Sequence, residues 1–240
     1  MPLTLLDAMM SRPPTAERPL LGVMVLIVED SRYSSEALRL ICQKSGARIR
    51  RAESLASATR HLRAYRPRVA IVDLGLPDGS GLRLIEQLAN TEPRIEALIG
   101  TSGDPTLSKA AMRAGADIFL SKPFSSIAAF QSTILSLLPP DSRPNHILQP
   151  LIDDVSPDPI ALRDDLALIM ELLKNEPSED TFAYVGTLLQ SLGQETGDPH
   201  LLGLASDFAA RERSESDLLS AVAQIKDEFE PLNPAQSLSG

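Results

Sequence analysis

Between residues 22 and 138 the chain alternates short apolar runs with amphipathic stretches, five times in succession. Clear apolar runs stand at 22–28 and 69–72, and shorter strand-like segments at 47–51, 96–99 and 117–120. The stretches between and after them, 34–45, 54–65, 82–88, 105–114 and 126–138, repeat apolar side chains at helical spacing. Ala37, Leu38, Ile41 and Cys42 share a face of the first, and Ile127, Phe130, Ile134 and Leu137 stripe the last. Gly46 and Gly115 are natural helix stops. Strands separated by helices pair in parallel, with the helices packed over both faces of the sheet. The predicted architecture is therefore α/β, a five-stranded parallel, doubly wound (βα)5 sheet.

In an open sheet of this kind, ligands gather at the carboxyl ends of the strands. Glu29 and Asp30 follow the first apolar run, Asp73 ends the third, and Thr101, Ser102 and Lys122 fall at or just after the last two. Two or three carboxylates suit Mg²⁺, a hard cation that prefers oxygen ligands. Beside such a cation, Asp73 can attack a phosphoryl donor and form an aspartyl phosphate. The Lys122 ammonium can neutralise the transferring group, and the hydroxyl of Thr101 or Ser102 can bond one of its oxygens.

The pieces Val28-Glu29-Asp30, Val72-Asp73-Leu74-Gly75-Leu76-Pro77-Asp78-Gly79-Ser80-Gly81, Thr101-Ser102-Gly103, Gly115-Ala116-Asp117 and Lys122-Pro123 carry a resemblance. Together, in this order and spacing, they resemble the receiver domain of bacterial two-component response regulators, a flavodoxin-like fold. The resemblance covers about half of the chain. It implies that Asp73 is the phosphoacceptor, that Glu29 and Asp30 hold Mg²⁺ with it, and that Thr101 is the switch hydroxyl. It implies that Lys122 is the family's site lysine and that the bond before Pro123 is cis. Phe119 stands where the family often has an aromatic ring that turns inward on activation, though a plain core role is an equal reading. The phosphoryl donor implied is a sensor histidine kinase or a histidine phosphotransfer protein. The signalling surface implied is roughly 105–138. Gly75 and Gly103 occupy positions that tune aspartyl-phosphate lifetime in this family.

Beyond residue 138 the signals change. Residues 139–159 hold six prolines and read as a semi-rigid linker. Residues 160–230 read as four amphipathic helices, a small bundle. Leu162, Leu166, Ile169 and Leu173 stripe the first, and Phe182, Val185, Leu189 and Leu192 the second. Pro199 opens the third. Ser214 starts the fourth, with Leu218, Val222, Ile225 and Phe229 on one face. Residues 182–208 loosely resemble a histidine phosphotransfer domain, but Ala183 or Tyr184 stands where its histidine falls. The expected plan is an N-terminal extension over 1–20, a receiver over 21–138, the linker, an acidic helical output region over 160–230 and a disordered tail over 231–240.

Charge bears on the output. Residues 1–140 hold seventeen Lys+Arg against thirteen Asp+Glu, whereas residues 141–240 hold six against nineteen. Phosphate backbones repel such a segment, so nucleic acid is not expected as a partner. The single cysteine, Cys42, excludes an internal disulfide, and no apolar run is long enough to span a bilayer. The expectation is a cytoplasmic phosphoprotein, not an enzyme, that switches protein–protein contacts with an unidentified output protein or a second copy of itself. The alternatives are a DNA-binding transcriptional regulator acting as an oligomer, and a pseudo-receiver scaffold that is never phosphorylated.

Overall fold

The computed structural model describes residues 13–148, 150, 153, 155–174, 177–210 and 215–228. The chain divides into two compact units, Met1–Pro157 and Asp158–Gly240.

The first unit is built on five parallel strands: β1 (Met24–Val28), β2 (Arg48–Ala52), β3 (Val69–Asp73), β6 (Ala97–Ser102) and β7 (Ile118–Ser121). Their order is β2-β1-β3-β6-β7. Two short strands, β4 (Gly75–Leu76) and β5 (Gly79–Ser80), form a separate antiparallel pair. The helices are α1 (Arg32–Lys44), α2 (Leu55–Ala64), α3 (Gly81–Ala89), α4 (Ser108–Ala114) and α5 (Ile127–Leu137). A 3₁₀ turn, Pro105–Leu107, precedes α4, with Asp104 capping it and Pro at its start. The strand order reverses beside β1 and β3, which places a crevice at the carboxyl ends of those two strands.

Strand periodicity divides the core in two. Val25, Ile27, Val69, Ile71, Ala97 and Ile99 pack with α1 and α5. Leu26, Val28, Ala70, Val72 and Leu98 face the other way, onto α2, α3 and α4. Alternate residues of a strand point to opposite faces, so both faces must be apolar in a sheet covered on both sides. Each fully buried Leu, Ile or Val contributes about 1.5–3 kcal/mol. β2 looks unpromising in sequence because it reads Arg-Ile-Arg-Arg-Ala. It lies at the sheet edge, where Arg48, Arg50 and Arg51 are exposed and their charge discourages pairing with another sheet.

Residues of the N-terminal extension and of the proline-rich linker are held against this unit. Leu20 is fully buried in the α1/α5 cluster, its amide donating to the Ser45 carbonyl at 2.9 Å. In the proline-rich stretch, the Arg143 guanidinium donates to the Leu138 and Ser136 carbonyls at the end of α5. The Asp153 carboxylate accepts from the Ser126 hydroxyl at 2.8 Å and the Ala128 amide at 2.7 Å, at the start of α5. Val155 packs against the α1/α5 cluster. A linker reading from proline spacing does not register side chains that close the two ends of a helix.

The second unit consists, among the described residues, of α6 (Pro159–Lys174), α7 (Glu179–Thr196), α8 (Pro199–Ala210) and α9 (Glu215–Glu228). Each helix packs on the next, and α9 closes against α6. Leu162, Leu166, Ile169 and Leu173 are buried as their spacing predicts, as are Val185, Leu189 and Leu192. Phe182 is half-buried, its ring 6.1 Å from that of Phe208. Ser178 caps α7 by accepting from the Thr181 amide, with Glu179 and Asp180 in the first turn. A β-carbon on Gly193 would lie 2.9 Å from the Leu202 amide nitrogen, so this glycine admits the close approach of α8. Ser214, Phe229 and the terminal expectations for 1–12 and 231–240 lie outside the described residues.

Candidate functional site

Four neighbouring strands deliver the site. Glu29 and Asp30 follow β1, Asp73 ends β3, Thr101 lies near the end of β6, and Lys122 follows β7. All five strands are parallel, so these ends share one edge of the sheet. Asp73 and Thr101 are register partners.

One carboxylate oxygen from each of Glu29, Asp30 and Asp73 lies within 4.8 Å of the others. Glu29 and Asp73 are buried and Asp30 is half-buried. The Lys122 ammonium, also buried, lies 2.7 Å from Glu29 Oε2 and 3.3 Å from Asp73 Oδ1. Backbone amides orient both acids: Ser31 N–H donates to Glu29 Oε1 and Gly75 N–H to Asp73 Oδ2, each at 3.2 Å. Three carboxylates against one ammonium leave an excess of negative charge in a low-dielectric crevice, which a divalent cation would relieve. The donors are all oxygen, so the set fits Mg²⁺ and not a soft metal.

The loop beyond Asp73 is tightly constrained. The Gly81 amide donates to the Leu74 carbonyl at 3.1 Å, and a β-carbon on Gly81 would fall 1.9 Å from the Asp73 carbonyl oxygen. No other residue fits there without moving the phosphoacceptor candidate's own backbone.

Residues 25–133 match the model of the response regulator receiver domain. The chain is 31% identical to the virulence transcriptional regulatory protein PhoP of Salmonella typhi over 198 residues, 81% of this chain and 85% of that one. The chain belongs to the response regulator family. It is 30% identical to the transcriptional regulatory protein PhoP of Escherichia coli O6:H1 over the same length, 81% of this chain and 86% of the relative. Among solved structures, the receiver domain of NtrX from Brucella abortus aligns at 24% identity and a TM-score of 0.44, covering 48% of this chain and 97% of that one.

Other response-regulator positions have definite places in this receiver. Thr101 is fully buried and its hydroxyl has no hydrogen-bond partner among the described residues. The neighbouring Ser102 hydroxyl oxygen accepts from the Asp104 amide at 3.1 Å. The two hydroxyls left open by the sequence therefore differ in state: one is engaged, the other is not. The Lys122–Pro123 bond is cis. Phe119 lies on β7 opposite Gly100, half-buried against the α2–α4 side of the core. Gly100 serves packing: a β-carbon there would come within 3.0 Å of the Ala111 β-carbon and 3.3 Å of Ile85.

Asp78 lies within the motif that follows Asp73, and the motif alone gives it no role. Its carboxylate accepts from the Leu55 amide at 2.8 Å and the Ala56 amide at 2.9 Å, so the phosphoacceptor loop is pinned to the first turn of α2. An Asp in a turn, just ahead of Gly79, is a usual turn residue in any loop, and nothing local marks a contact 22 or 23 residues away. Cys42 is fully buried on α1, and burial pushes its thiol up to about 12, so it is an inert core residue.

Proposed function

We propose that the chain is a phosphorylation-controlled switch in which Asp73 receives a phosphoryl group from a sensor histidine kinase or a histidine phosphotransfer protein. The observation that carries this reading is the juxtaposition of Asp73 with two further carboxylates, the Lys122 ammonium and the unpartnered Thr101 hydroxyl. An Asp73 oxygen attacks phosphorus, the P–N bond of the donor phosphohistidine breaks, and the imidazole leaves with the bonding pair and takes up a proton. Glu29, Asp30 and Asp73 would hold Mg²⁺, which neutralises charge on the transferring group when bound. Lys122 orients the acceptor carboxylate and offsets the added charge. The new phosphoryl oxygens give Thr101 a partner, and its inward shift, with Phe119, biases a two-state domain.

The output proposed is a change in protein–protein contact through the 105–138 face and the C-terminal helices, with an output protein or a second copy. The protein is a phosphoacceptor and not a turnover enzyme. Cytoplasm is the proposed setting, consistent with a lone buried cysteine and with no described helix long and apolar enough to cross a membrane.

Incubation with Mg²⁺ and acetyl phosphate tests the switch. Intact-mass analysis should show one phosphoryl adduct that Asp73→Asn abolishes; no adduct would leave a scaffolding pseudo-receiver.

The names of the PhoP relatives favour a second reading, control of transcription. Against direct DNA contact stands the second unit, with five Lys+Arg and sixteen Asp+Glu over 158–240. A mobility shift at low salt, with and without acetyl phosphate, separates the two: retarded DNA would establish the second.

A further inference from the structure

Between Asp73 and α3 the chain makes a small hairpin that stands apart from the main sheet. β4 and β5 pair Gly75 with Ser80 and Leu76 with Gly79, so Pro77 and Asp78 form its two-residue turn. A pair of strands this short is marginal on its own, so its stiffness comes from what anchors it. The base is held by the Leu74 amide, which donates to the Thr101 carbonyl at 3.0 Å, and by the Gly81 amide, which donates to the Leu74 carbonyl at 3.1 Å. The tip is held by Asp78, whose two carboxylate oxygens accept from the Leu55 and Ala56 amides at 2.8 Å and 2.9 Å. These are the first two amides of α2. They have no acceptor within their own helix, and the positive end of the helix dipole favours a carboxylate.

The same hairpin grips the Asp73 side chain. Asp73 Oδ1 faces the Lys122 ammonium at 3.3 Å, and Asp73 Oδ2 accepts from the Gly75 amide at 3.2 Å. The plane of the carboxylate is thus set from two directions, by the lysine after β7 and by the first residue of the hairpin. Attack on phosphorus requires that plane to be aimed, and a misplacement of about 1 Å can cost about 100-fold in rate.

We infer that Asp78 is a positioning residue for phosphoryl transfer. By fastening the hairpin tip to α2 it keeps the Gly75 amide on Asp73 Oδ2, and so aims the acceptor carboxylate. The inference rests on the reading of Asp73 as the phosphoacceptor.

The test compares the full-length wild type with Asp78→Ala, Asp78→Asn and Ser54→Ala. Ser54 caps the same helix, but its side-chain hydrogen bonds run to Ser57 and not to the hairpin. Initial rates of adduct formation are read by intact mass at saturating Mg²⁺ and fixed acetyl phosphate, and the Gly75 amide is followed by ¹⁵N–¹H shifts in the unphosphorylated proteins. Asp78→Ala should slow phosphorylation about tenfold, part of what a small misplacement can cost, and move the Gly75 amide proton upfield. Asp78→Asn, which keeps one acceptor oxygen, should recover part of both. Ser54→Ala weakens the same helix start, yet should leave both readouts at wild-type values. An unchanged rate or an unmoved Gly75 amide in Asp78→Ala overturns the inference. Equal losses in Asp78→Ala and Ser54→Ala also overturn it, since they would reduce Asp78 to a helix cap. No adduct on the wild type would remove the phosphoacceptor reading itself, and this inference with it; a wild-type adduct with Asp78→Ala unaffected removes the inference alone.

Discussion

Asp73 and Thr101 stand opposite each other in the β3–β6 register, yet the Thr101 hydroxyl has no partner among the described residues. The backbone between them is satisfied, with the Leu74 amide donating to the Thr101 carbonyl at 3.0 Å. An unmade buried hydrogen bond costs about 1–3 kcal/mol. Thr101→Val keeps the shape and removes the hydroxyl, so the unphosphorylated protein should gain about 1 kcal/mol. A urea titration should show a raised midpoint with an unchanged slope. A lowered midpoint would mean that the hydroxyl is already used.

Lys122 is the counter-charge of two buried carboxylates, at 2.7 Å and 3.3 Å. Lys122→Met should destabilise the metal-free protein by about 3 kcal/mol, since removing one partner strands the other charges. Mg²⁺ should restore part of that loss and should stabilise the variant more than the wild type. Equal Mg²⁺ responses in the two proteins would show that ammonium and metal do not share these carboxylates.

Asp78→Ala removes the carboxylate that receives the Leu55 and Ala56 amides. A lost helix-start acceptor costs about 1 kcal/mol. Hydrogen exchange should accelerate at those two amides while the amides of β1 and β3 keep their protection. Unchanged protection at Leu55 and Ala56 would place the capping wholly on Ser54, which already forms a capping box with Ser57.

Asp153 gives a pH dependence of known sign. The backbone hydrogen bond from Ala128, then that from the Ser126 side chain, lowers its pKa below the ordinary 3.8. A lowered carboxyl pKa in the fold stabilises at pH values above the unfolded one, and that contribution disappears as the pH falls through the lowered value. The Ala128 amide shift should therefore titrate below pH 3.8. In Asp153→Asn that step should be absent; its persistence would assign the titration to another group.

The sheet was legible because β1 and β3 are apolar on both faces, and helices such as α1 and α5 declare their buried stripes by spacing. The cluster of Glu29, Asp30, Asp73 and Lys122 was legible because parallel topology brings strand ends together, whatever lies between them. Three things were not. The β4–β5 pair is two residues on each side and has no periodicity to read. The grip of Arg143 and Asp153 on the two ends of α5 depends on where a distant segment returns, which composition does not encode. The role of Gly100 is to leave room for Ala111 and Ile85, neighbours fixed only by helix packing.

The crowding at Gly81 has a genetic consequence. Gly203, with nothing within 4 Å of a would-be β-carbon, can drift through many residues at little cost. Position 81 has no neutral neighbour in sequence space, because any side chain collides with the backbone of Asp73 itself. One missense change there should silence the switch as surely as loss of the phosphoacceptor, and a descendant lineage has no gradual path around it.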